Sequence, residues 1–140
     1  MRFLIVVKAS IEPDNTLPHD TGLAAAMAEF RAALARDGAL LDAASLAPSS
    51  EGWRIRYSAT GARMETGPFD EAPQGITAYA LIQARSRDDA VEWTRRFPNP
   101  ITHPGGAGRP VLIEVHPVQS LADQALYCQP EPDPQTRRQP

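Results

Sequence analysis

The chain has a single cysteine, Cys128, in 140 residues. That excludes an internal disulfide and any cysteine-rich zinc centre. It also lacks a basic surplus: 14 Lys and Arg face 17 Asp and Glu, for a net charge of −3. This balance argues against sequence-independent nucleic-acid binding and against docking on an anionic membrane, so neither partner is expected. No apolar run approaches the roughly 18–20 residues of a membrane span. The opening Met1-Arg2-Phe3-Leu4-Ile5-Val6-Val7-Lys8 is too short for a signal peptide and has no small-residue cleavage site, so the expected compartment is the cytoplasm. The three histidines, His19, His103 and His116, lack metal-ligand spacing. Gly105-Gly106-Ala107-Gly108 lacks the lysine and hydroxyl of a phosphate loop. Neither a metal nor a cofactor is expected. What is present, 42% apolar and 22% charged residues, suits one packed domain.

Phe3 to Val7 is an apolar, β-branched run typical of a strand covered on both faces. After a turn-rich stretch, Asp20 or Thr21 can cap a helix on which Leu23, Met27, Phe30 and Leu34 form one apolar stripe, with Gly38 as the stop. Ala39 to Ala47 reads as a second strand. Trp53 to Ser58 alternates with period two and turns through Ala59-Thr60-Gly61-Ala62 into Arg63 to Thr66, a hairpin over 53–66. Ile76 to Ala84 is a central-strand candidate. Ser86-Arg87-Asp88-Asp89 resembles a capping box opening a second helix along Ala90, Trp93 and Phe97, which Pro98-Asn99-Pro100 ends. Val111 to Val118 is the last strand. Residues 1–120 are thus read as one domain, and the polar, proline-rich residues 121–140 as a disordered tail. The order of elements predicts an α+β fold, a ferredoxin-like split β-α-β with an inserted hairpin. Two helices cover only one sheet face, so a homodimer is expected to cover the other.

The segment Met64-Glu65-Thr66-Gly67-Pro68-Phe69-Asp70-Glu71 resembles the signature of the YCII-related (DGPF-domain) family. The likeness extends over most of residues 1–118 through Leu46-x-Pro48-Ser49-Ser50-x-Gly52, Arg54-Ile55-Arg56-Tyr57-Ser58, Tyr79-x-Leu81-Ile82-Gln83, Pro98-Asn99-Pro100 and Ile113-Glu114-Val115-x-Pro117-Val118. The resemblance implies a dimeric α+β barrel enclosing a cavity, in a group with some members linked to small-molecule turnover. Thr66, Asp70 and Ala72-Pro73-Gln74 depart from the family pattern, as does His116, which stands where Arg is common. These changes put any reaction that uses the loop's charges in doubt.

Several side chains carry potential chemistry. Glu114 and His116 lie two apart on one strand and so share a face. A carboxylate that orients an imidazole is a workable acid–base pair, and the bland alternative is a structural pair at a strand edge or dimer contact. Asp70 or Glu71 is the alternative base, on a loop that either contacts a ligand, with Phe69 as a binding residue, or is structural, with Phe69 packed and Gly67-Pro68 shaping the turn. Arg54 and Arg56 share a hairpin face and can hold a carboxylate or phosphate, or simply pair with Glu51 or Glu65. Lys8, at a strand end, is either a base or anion contact in a cavity, or simply solvated. Two functional classes follow from the sequence. One is a cofactor-independent isomerase or lyase working by proton transfer in a cavity. The other is a non-enzymatic small-molecule-binding or accessory dimeric module.

Overall fold

The computed structural model describes residues 1–10, 21–69, 74–105 and 110–120. The expectations placed on Asp20, Asp70, Glu71, Cys128 and the tail 121–140 lie outside the described residues. The elements run β1 (Arg2–Ser10), α1 (Thr21–Arg36), β2 (Leu40–Ser45), β3 (Trp53–Ser58), β4 (Gly61–Thr66), β5 (Gln74–Gln83), α2 (Arg87–Arg95) and β6 (Val111–Val118).

Four strands form an antiparallel sheet in the order β2-β5-β1-β6, and β3 and β4 form a separate two-stranded sheet. Apolar alternation explains the sheet's two faces. Phe3, Ile5 and Val7 on β1 pair with Ile82, Ala80 and Ala78 on β5. These residues are buried against Phe30 and Leu34 of α1 and Ala90 and Trp93 of α2, or against Met27 of α1. Both helices therefore lie on one face. Phe97, just past α2, meets Phe30 edge to face with ring centroids 5.1 Å apart.

The helix ends follow from local chemistry. The Ser86 hydroxyl accepts from the Asp89 N–H at 3.1 Å, capping α2. The Asp89 carboxylate accepts from the Arg85 N–H at 2.9 Å, one residue beyond the usual capping-box return to the N-cap N–H. Gly38 follows α1 with φ +71°, a left-handed turn that lets the Ala39 N–H reach the Leu34 carbonyl.

The described residues do not form the barrel expected from the family resemblance. The architecture is an open α+β arrangement of two small sheets, neither closed into a barrel. Closure joins the first strand of a sheet to its last, and in the small barrels it takes about eight strands. Here β2 and β6 are the two ends of a four-stranded sheet, and among the described residues the hairpin pairs only with itself instead of extending that sheet.

Candidate functional site

The face of the four-stranded sheet turned away from the helices carries the chemistry. Register sets three rows across β5, β1 and β6: Ile76, Lys8 and Leu112; Tyr79, Val6 and Glu114; Leu81, Leu4 and His116. A register shift between Val7 and Lys8 keeps Ile76 on this face. Lys8 Nζ lies 3.1 Å from one Glu114 oxygen, and His116 Nε2 lies 3.2 Å from the other. One carboxylate thus bridges an ammonium and an imidazole. The Lys8 hydrogen bond, followed by that of His116, holds the Glu114 carboxyl below its ordinary 4.5. An ionised carboxylate only accepts, so His116 Nε2 carries the proton in this hydrogen bond and Nδ1 faces away as the free position. On the β2 side the Tyr79 hydroxyl donates to Asp42 at 2.8 Å. That bond, which favours the neutral phenol, raises the Tyr79 value above 10.0.

The other predicted site residues form a separate group. Arg54 and Arg56 both bind Glu65 across the hairpin, at 2.8 and 3.0 Å, one on each carboxylate oxygen. The Arg54 guanidinium also stacks over Phe69 at 5.0 Å. These two arginines therefore take the pairing with Glu65 rather than with Glu51. They belong to the two-stranded sheet, whereas Lys8, Glu114 and His116 belong to the four-stranded one. The structure brings together Lys8, Glu114 and His116, and separately Arg54, Arg56 and Phe69.

Two surface hollows have different linings. One of about 350 Å³ at the hairpin tip is bordered by Arg56, Ser58, Thr60 and Arg63. The other, of about 480 Å³, lies between Met1, Asp37, Gln83 and Trp93. His116 is in neither, and its side chain is 60% exposed. The Glu114–His116 pair thus has hydrogen-bonding geometry on an open surface.

Sequence reasoning missed the Tyr79–Asp42 pair, because β2 and β5 become neighbours only in the folded sheet. It also missed the outward apolar side of the hairpin. Period-two alternation placed Trp53, Ile55 and Tyr57 on one face, which was the available signal, but alternation does not say what that face meets.

No protein-family model matches the chain, and no curated protein matches it either. The resemblance to the YCII-related (DGPF-domain) family is therefore not upheld. The segment that suggested it has a local packing reason. A Cβ on Gly67 would overlap the Ser49 carbonyl oxygen, so the residue following β4 has to be glycine. Phe69 is fixed by its N–H donating to the Ser49 hydroxyl at 3.2 Å and by the Arg54 guanidinium.

A pH dependence follows from the two bridging carboxylates. The Glu65 carboxyl is held below its ordinary 4.5 by the Arg54 hydrogen bond and then by that of Arg56. A depressed folded-state value adds stability that is complete above the unfolded value and is lost as pH falls through the folded one. Thermal melts should show the midpoint dropping as pH is lowered below about 4.5, where the unfolded chain takes up protons at Glu65 and Glu114 before the folded one does. The Glu65→Gln, Glu114→Gln double variant should show a shallower acid limb. An unchanged limb would remove both bridges from the account.

Proposed function

We propose that the chain is a non-enzymatic binding module that takes a small, largely apolar, hydroxyl-bearing molecule on the open sheet face. The observation that carries this reading is the line Lys8–Glu114–His116 set among Leu4, Val6, Leu81, Ile76 and Leu112. Ligand sites of this kind combine an apolar floor with a few fixed polar groups that orient the guest. Glu114 holds the His116 ring, leaving Nδ1 to accept a hydrogen bond from a ligand hydroxyl. Lys8 balances the carboxylate, so the site presents no unpaired negative charge.

Phenol and anisole, which share a ring and an oxygen but differ in the hydroxyl proton, test this. Phenol should bind about tenfold tighter than anisole, the worth of one hydrogen bond in a partly desolvated site. His116→Ala should erase the preference while leaving anisole binding unchanged. Equal affinity for the two molecules, or a preference that survives His116→Ala, would contradict the reading.

The Glu114–His116 hydrogen bond favours a second reading, proton transfer without a cofactor, with His116 as acid–base group and Glu114 as its orienting partner. The exposure of His116 ranks it below binding, because an acid–base pair gains from a water-excluded site. Turnover of a hydroxylated compound that is lost in His116→Ala would promote it.

A further inference from the structure

The hairpin is an arm with an unused side. Trp53, Ile55 and Tyr57 on β3 stand opposite Thr66, Met64 and Ala62 on β4, so all six share one face. On that face Trp53, Ile55, Tyr57 and Met64 are 66, 47, 78 and 67% exposed. No charged residue interrupts them, because Arg54, Arg56, Arg63 and Glu65 all occupy the opposite face. A two-stranded hairpin is marginal in water without something to pack on. With large aromatic residues each offering about 150–250 Å², this face presents about 500 Å² of mostly apolar surface. A patch of that size on a monomer commonly marks an interaction site.

The open sheet face is the second uncovered apolar surface of the same chain. Ile76 and Leu112 are exposed on it, beside the half-buried Leu4 and Leu81. Lys8 and Glu114 on it already pair with each other, so covering them strands no lone charge; Asp42 accepts from the Tyr79 hydroxyl, and Arg2, one row beyond Leu4 on the same face, is exposed at the strand end. The hairpin face brings two polar tips, the Trp53 indole N–H and the Tyr57 hydroxyl, and both can donate to the acceptors on the sheet.

We infer that two copies of this chain associate by reciprocal exchange, the hairpin of each lying on the open sheet face of the other. Area favours a second copy as the occupant. One hairpin face of about 500 Å² laid on one sheet face buries about 1,000 Å² counted over both sides, and the two contacts of a two-fold dimer bury about 2,000 Å², the upper end of a standard specific interface. Hairpin packed on hairpin would bury about 1,000 Å² in total and leave both sheet faces bare. A chain carrying one copy of each complementary surface closes naturally into a symmetric pair. The second copy's hairpin then supplies the aromatic wall that the Lys8–Glu114–His116 site lacks. That wall rests on the binding reading given above; the association itself does not.

Light scattering at micromolar protein should give about twice the 15.2 kDa chain mass. Tyr57→Asp on the hairpin and Leu112→Asp on the sheet should each weaken association about 30-fold or more, as buried interface anchors do. Mixing the two variants is the decisive arm. A mixed pair retains one intact contact, the unaltered hairpin of the Leu112→Asp chain on the unaltered sheet of the Tyr57→Asp chain, and should regain dimer mass. Circular dichroism checks that each variant folds, and Ile76→Lys replaces Leu112→Asp should that strand fail. A monomeric parent overturns the inference. Dimers that survive the sheet variants, dimers that survive Tyr57→Asp, or a mixture that stays monomeric overturn it as well. Phenol titration of the monomeric Tyr57→Asp chain reads the wall separately: weaker binding than in the parent supports it, and equal binding removes it.

Discussion

Phe30→Ala will destabilise the fold by about 3–5 kcal/mol, the range for removing a buried phenylalanine, and lower the melting temperature by at least about 10 °C. Phe30 is 2% exposed and joins both helices to the sheet, in one cluster with Phe3, Ile5, Ile82 and Trp93. Its ring also receives the edge of Phe97, which secures the end of α2. Nothing nearby is free to collapse into the space, because Phe3, Leu34 and Ile82 are themselves fully packed. Urea unfolding with an unchanged slope measures the loss, and a change below about 1 kcal/mol would mean that the core described here is not the one that holds the protein together.

Gly67→Ala is the second large effect, expected near 3 kcal/mol, the upper end for forcing an atom into filled space. The obstacle is the backbone of Ser49 rather than a side chain that can swing aside. The Gly67 N–H also donates to the Gly52 carbonyl at 2.9 Å, closing the base of the hairpin. A shift there would loosen β3 and β4 more than the main sheet. Hydrogen exchange should therefore show the hairpin amides losing protection while β1 and β5 keep theirs. Uniform loss across both sheets would indicate that the hairpin and the sheet unfold as one unit.

Local pattern and chemistry made most elements readable. The stripe of Leu23, Met27, Phe30 and Leu34 marked α1, Ser86 and Asp89 marked the start of α2, and alternation marked the 53–66 hairpin. Pairing between distant strands was not readable, since the neighbours of β1 are set by how the whole sheet buries its apolar face. For that reason Glu114 and His116 could be placed on one face from their spacing, whereas Lys8 joined them only through the pairing of β1 with β6. Arg54 and Arg56 were correctly aligned with each other, but the choice of Glu65 over Glu51 depended on the hairpin register. The barrel was carried over from a resemblance in short motifs. Gly67 and Phe69 show how such a motif can instead be required by packing around one turn.

The central claim is that the helix-free face of the sheet is the working surface, and nuclear magnetic resonance of the uniformly labelled chain during a phenol titration tests it most directly. The account predicts progressive shifts of the His116 ring signals and of the Leu4, Leu81 and Leu112 methyls, with Met27 and Leu34 on the helix-covered face unmoved. Shifts confined to the helix-covered face or to the hollow beside Trp93, with His116 silent, would contradict it.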